Sequence, residues 1–279
     1  MAPPSQFLPV GFGLGAVFVW GTSDFLGGFA ARRSNAFLFT TIVHGSGLLL
    51  MLAVALATHS TFPSRPGIAW TAAAGLSGGA GLAIFYRALA SGRMGLTAPV
   101  AAVLSAAIPT VFGIFTEGVP RAVQVAGFVL AAIGIWLISR PEDGSRPEGI
   151  GAAVFAGVCF AGYYLFTKQA GDNSAVWLTA MSRAASFVLT GVIVILGRNY
   201  QITREGIGFG VVAGILDISG SVMFIRAAQT GRLDAAVVIS SLYPAITVLL
   251  ARFFLKEHFT RWKVVGMFAA LLAVPLIAG

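Results

Sequence analysis

The chain has 279 residues, 57 % of them hydrophobic and only 10 % charged, with a mean hydropathy of +0.87 and a formal net charge of +8. A soluble domain carries roughly 25 % charged residues, so this chain has too few to cover a water-facing surface, and most of it is solvated by lipid. Disorder is excluded by the apolar content, and a disulfide scaffold by the presence of one cysteine, Cys159.

Ten apolar stretches follow one another near residues 11–31, 35–57, 67–89, 95–116, 121–139, 148–168, 175–197, 206–228, 234–255 and 261–278. Each approaches the ~20 residues that a helix needs to cross a bilayer. Continuous runs of this length argue against a β-barrel, whose strands alternate over about ten residues. The first stretch is read as a retained helix rather than a cleaved leader. Residues Met1–Val10 carry no positive charge and the stretch contains Asp24. Short polar or Gly/Pro links join the stretches, among them Ala31–Ser34, Thr61–Pro66, Gly92-Arg93, Arg140–Pro147, Asp172–Ser174, Arg198–Glu205 and Gly231-Arg232. None is long enough for a soluble domain.

The second half of the chain repeats the first. A shift of 139 pairs Gly67-Ile68 with Gly206-Ile207, Gly75 with Gly214, Arg87 with Arg226, and Gly92-Arg93 with Gly231-Arg232. A shift of 140 pairs Glu117 with Glu257, and one of 141 pairs Gly21 with Gly162. Each half, 1–140 and 148–279, then holds five helices. Five is odd, so the second half enters the membrane from the opposite side. The expected fold is all-α and polytopic, with ten transmembrane helices in two inverted five-helix repeats, an arrangement common among secondary transporters.

The basic residues form no run longer than Arg32-Arg33, so the positive charge does not indicate nucleic acid; basic helix ends are usual in membrane proteins. Of the 18 basic residues, twelve flank the links after odd-numbered helices, five flank those after even-numbered ones, and Arg183 is internal. The positive-inside rule places the odd links in the cytoplasm and both termini outside.

Small residues at helical spacing, Gly11/Gly15, Gly75/Gly79 and Gly210/Gly214, are expected to let helices approach closely. Cys159, in the apolar run Ala156–Ala161, reads as a packing residue. Pro109 and Pro244 are candidate kinks or hinges. At Pro244 the segment Ser240-Ser241-Leu242-Tyr243 offers two hydroxyls, a phenol and freed carbonyls to a cavity.

The sharpest functional signal is ionisable residues inside apolar runs. An ionised group at mid-bilayer costs about 2.5–3.5 kcal/mol even on lenient scales, so it faces a cavity or a partner. Asp217, Arg183, His44 and Asp24 are such residues, and Trp20 stands one turn before Asp24. At about 1.5 Å per residue they fall roughly 12–20 Å from the side on which the chain begins, in one central layer. His44 and Arg183 are repeat mates, whereas the mate of Asp217 is Gly78. Two readings stand side by side. In one, Arg183 holds an anionic group or neutralises a carboxylate in a substrate site, and Asp217 exchanges a proton as the cavity opens and closes. In the other, Arg183 and Asp217 form a structural pair. A permanent pair would stop Asp217 cycling; the alternatives are then Asp24 in that role or transport that is not coupled to protons.

No P-loop, HExxH or cysteine cluster is present, and His59 and His258 fall in links, so neither enzyme activity nor a metal or other cofactor is expected.

Several segments resemble the EamA-type drug/metabolite transporter superfamily: Trp20–Gly28, Phe85–Arg93, Gly214–Asp217 and Ser240–Arg252, with Glu117 and Glu257 after the fourth and ninth helices. Thr116–Val119 lacks the basic residue usual after that Glu, and Lys256 stands where a small residue commonly precedes Glu257. The resemblance covers essentially the whole chain. It implies ten helices, an inverted repeat, cytoplasmic termini (against the charge count) and transport of small metabolites or drugs, often outward. The expected partners are therefore the lipid bilayer, a small-molecule substrate and, for a coupled carrier, protons, in a multi-pass protein of the inner cell membrane. Monomer and homodimer both remain open. A non-transporting scaffold or sensor and a facilitative channel are the alternative readings.

Overall fold

The computed structural model describes residues 4–90, 94–138, 150–254 and 260–278. Gly92-Arg93, the Arg140–Pro147 link and Glu257 lie outside these, as does the side chain of Glu117. The described residues are all-helical. They form α1 (Pro4–Ala31), α2 (Ala36–Ala57), α3 (Arg65–Ala90), α4 (Met94–Glu117), α5 (Ala122–Ile138), α6 (Ile150–Gln169), α7 (Ala175–Gly197), α8 (Arg204–Thr230), α9 (Leu233–Ser240), α10 (Tyr243–Phe254) and α11 (Arg261–Ala278).

Over its described residues each of the ten apolar stretches is largely helical, and the ninth is divided into α9 and α10. Among the described residues, seven segments are long and apolar enough to cross a membrane, and three shorter apolar helices, within α4, α5 and α11, accompany them. The division of the ninth stretch falls at Ser241-Leu242, which form a turn, with Pro244 in the first turn of α10. Proline is tolerated there because its missing N–H belongs to a helix end that needs no intrahelical acceptor. Pro109 behaves differently: α4 runs through it without interruption.

The helix starts repeat between halves. The Ser64 hydroxyl accepts from the Gly67 N–H at 3.3 Å before α3, and 139 residues on Thr203 does the same for Gly206 at 3.0 Å before α8. Such caps satisfy N–H groups that the first helical turn leaves open. The packing repeats as well. α1 lies on α8 as α6 lies on α3, and α2 meets α8 as α7 meets α3. α4 meets α6 as α9 and α10 meet α1, while α2 pairs with α7 and α5 with α11. Exchanging the halves leaves this set of pairings unchanged.

Two glycine crossings fix the closest approaches. A Cβ on Gly75 would collide with the carbonyl of Ser182 on α7, and one on Gly214 with the carbonyl of Val43 on α2. Both the glycines and the struck residues are repeat mates at 139. Hydroxyls bridge helices as well: Ser186 of α7 donates to Gly75 O of α3 at 2.7 Å, and Ser23 of α1 to Ala213 O of α8 at 2.9 Å. In lipid, where apolar burial drives little association, such contact and hydrogen bonding hold helices together at about 0.6 kcal/mol per bond. Gly11 does not take part, having nothing within 4 Å of the place its Cβ would occupy. Cys159 packs where expected, its Cβ against Gly81 of α3.

Candidate functional site

A cavity of about 60 Å³, partly open to the outside, lies where α1, α3, α6, α7, α8 and α10 converge. The first half supplies Trp20, Asp24, Gly78 and Leu82, and the second supplies Phe160, Tyr163, Tyr164, Arg183, Asp217, Ser221 and Tyr243. Among the residues expected at a site, Asp217, Arg183, Asp24, Trp20 and Tyr243 are brought together here.

Arg183 and Asp217 form an ion pair at 2.9 Å, with side chains only 5 % and 10 % accessible. Arg183 also donates to the Ser221 hydroxyl at 2.5 Å, which in turn donates to the Asp217 carbonyl one turn earlier at 3.0 Å. The guanidinium sits 5.9 Å from the centre of the Tyr163 ring. Trp20 closes the same corner, its indole N–H donating to the Asp217 carbonyl at 3.1 Å. The cation is therefore committed: carboxylate, hydroxyl and ring already surround it.

Asp24 is placed differently. Trp20 and Asp24 are four residues apart on α1, so they share a face. Among the described residues no cation pairs with Asp24, and its neighbours are polar or aromatic. The Tyr86 hydroxyl lies beside its carboxyl, Asp217 is within electrostatic reach, and so are Tyr164 and Tyr243. Asp24 is partly accessible, whereas Asp217 is buried.

Three glycines seat the aromatic side chains. A Cβ on Gly220 would fall 2.6 Å from the Trp20 ring, one on Gly27 would fall 2.5 Å from the Tyr86 ring, and one on Gly78 would fall 3.1 Å from Tyr163. Gly78 is the repeat mate of Asp217, so the two halves present a glycine and a carboxylate at equivalent places, and an aromatic ring fills the space the glycine leaves. Trp20, Tyr163, Tyr164 and Phe224 stack into one cluster, with centroids 4.6–6.2 Å apart.

His44, Ser240 and Ser241 do not line the cavity. His44 is fully buried on α2 within electrostatic reach of Arg183, with neither ring nitrogen hydrogen-bonded. Ser240 and Ser241 are fully buried at the α9–α10 break with no hydrogen-bond partner for either hydroxyl. Conversely, Tyr163, Tyr164 and Tyr86 belong to the site or its wall and were not singled out from sequence. A signal existed: the chain has five tyrosines, and four of them, all but Tyr200, lie inside apolar stretches, where a phenol needs a polar contact. Among the described residues, no group of three His, Cys, Asp or Glu side chains is arranged to hold a metal.

The EamA-like transporter family matches the chain twice, over residues 8–140 and 147–279. The protein belongs to this family and is a multi-pass membrane protein. An uncharacterized protein of Methanocaldococcus jannaschii is 28 % identical over 131 residues, which are 45 % of this chain and 96 % of that one, so that relative is about the length of one match. The uncharacterized transporter YyaM of Bacillus subtilis is 26 % identical over 132 residues, 46 % of this chain and 42 % of that one. A crystal structure of another protein superposes with a TM-score of 0.78 at 18 % identity, over 96 % of this chain and 95 % of that one, which establishes likeness of fold.

Proposed function

We propose that this protein is a secondary carrier of small metabolites or drugs, working by alternating exposure of the central cavity to the two sides of the membrane. The observation that carries the reading is the position of the cavity at the seam between the two family matches, with both halves contributing its walls. A site on such a seam changes its exposure when one half rocks against the other. The exchange symmetry of the helix pairings supports two inverted five-helix repeats, 1–140 and 148–279, and ten crossings in the inner cell membrane. Outward transport follows the family resemblance.

The seams suit this motion. Glycine crossings at Gly75 and Gly214 present small, smooth faces, and the break at Ser241-Leu242 divides one crossing at the level of Tyr243, a cavity residue. Pro244 is the proposed hinge residue there; Pro109 is a secondary candidate within α4. The Arg183–Asp217 pair favours Asp24 over Asp217 as the carboxylate that exchanges a proton, because Asp217 would have to leave its guanidinium unpaired in order to be protonated. In liposomes carrying the purified protein, Asp24→Asn is expected to abolish the response of uptake to an imposed pH gradient. An Asn variant that still follows the gradient removes Asp24 from the coupling role.

A further inference from the structure

The chemistry of the cavity also bears on what it accepts, granted that it is the substrate site. Besides its phenols, three side chains able to carry charge near neutral pH line it: two carboxylates, Asp24 and Asp217, and one guanidinium, Arg183. Arg183 and Asp217 cancel in their 2.9 Å pair. With Asp24 ionised, the site is left one negative charge in excess, on the carboxylate that is reachable from the cavity. The remaining wall is mostly aromatic: Trp20, Phe160, Tyr163, Tyr164 and Tyr243.

Ring faces are negative, and a cation within ~6 Å of a ring centre is attracted by about 0.5–2 kcal/mol, more as water is excluded. In a cavity of about 60 Å³ a cationic centre sits among the rings that wall it, where this attraction acts. An anion meets the opposite conditions. It faces the negative faces of the rings and the free carboxylate, and the one guanidinium is already held by Asp217, Ser221 and Tyr163. The Nε–H of Arg183 has no partner, but it is buried.

We infer that the cavity takes a small organic cation, an amine or quaternary ammonium, with its charge on Asp24 and its alkyl surface against Trp20, Tyr164 and Tyr243. The Tyr86 hydroxyl lies beside the Asp24 carboxyl, and Gly27 makes room for that ring. The small volume selects compact head groups over bulky ones.

The test is equilibrium binding to the purified full chain in detergent micelles, measured by calorimetry with four small probes: butylammonium, tetramethylammonium, butyrate and butanol. Both cations are expected to bind at least about tenfold more tightly than butyrate or butanol, a difference of about 1.4 kcal/mol. Tetramethylammonium has no N–H, so its binding reports charge and ring faces alone. Asp24→Asn is expected to weaken both cations at least about tenfold. Trp20→Leu should weaken tetramethylammonium severalfold. Should Asp24→Asn fail to fold, Asp24→Glu, which keeps the charge, is expected to retain the preference for cations. Butyrate binding as tightly as butylammonium to the unaltered protein, no cation binding at millimolar concentration, or Asp24→Asn binding cations undiminished each overturn the inference. Cation binding without flux in liposomes would count against the carrier and leave the cation site standing; saturable flux of anions alone would do the reverse.

Discussion

Replacing Asp217 by Asn keeps the side chain's shape and removes its charge. The Trp20 indole bonds the Asp217 main-chain carbonyl, so that contact survives and the effect isolates the ion pair. Arg183 is then left with a 5 % accessible side chain and only neutral acceptors, the Ser221 hydroxyl and the Asn amide oxygen, in place of a carboxylate. At 2.9 Å and an effective dielectric of ~20 the lost attraction is about 6 kcal/mol, part of which is returned because a buried carboxylate no longer needs desolvation. Breaking one partner of a buried pair typically costs about 3–5 kcal/mol, and that is the expected loss. Removing Arg183 as well, as Arg183→Gln with Asp217→Asn, is expected to recover at least ~2 kcal/mol, because no uncompensated charge remains. The assay is denaturant- or heat-induced unfolding of the detergent-solubilised protein, arranged as a double-mutant cycle. A single-variant loss below about 1 kcal/mol, or a double variant less stable than Asp217→Asn, refutes the reasoning that this pair is buried and mutually dependent.

Gly214→Ala places a Cβ against the Val43 carbonyl and the Ser46 hydroxyl, and is expected to cost about 1–3 kcal/mol by unfolding. Gly208→Ala on the same helix meets nothing within 4 Å and is expected to be neutral or slightly stabilising; equal losses in the two would contradict the glycine crossing. Pro244→Ala restores an N–H to the first turn of α10, and is expected to slow substrate exchange while leaving binding in place; unchanged exchange rates would remove the α9–α10 break from the moving parts. Reporter fusions at Met1 and Gly279 are expected to read the same side of the membrane, since ten crossings are an even number. Opposite sides would mean one apolar helix does not cross, and the side itself decides between the charge count and the family resemblance.

The helices were legible because each apolar run is close to the length a bilayer demands, and lipid penalises unpaired backbone more strictly than water does. The division of the ninth run was legible only as a place, Ser240–Pro244; that Ser241-Leu242 form a turn and a new helix starts at Tyr243 depends on what α1 and α4 pack against. The packing partners themselves were not legible beyond the repeat, because Gly75 and Gly214 look no different in sequence from Gly11, which packs on nothing. At the site, Asp24, Arg183 and Asp217 stood out because charge in an apolar run is costly. Their pairing was not decided by depth alone: His44 falls in the same central layer as Arg183 and Asp217, yet it is not part of the cavity lining. Tyr163 and Tyr164 were passed over because a phenol in an apolar run reads as one more large apolar side chain, and only the convergence of α6 with α1 and α8 turns them into a wall.

The central claim is that the cavity between the two halves is carried alternately to each side of the membrane. Counterflow tests this most directly: liposomes containing the protein are loaded with butylammonium, and entry of labelled butylammonium is followed. An alternating carrier is expected to show saturable entry that is accelerated by unlabelled solute inside, because each return of the cavity brings its cargo back. Entry that rises linearly with concentration and ignores the internal solute would be a pore, and if neither butylammonium nor any member of a broad metabolite panel enters faster than in protein-free liposomes, the carrier account is contradicted.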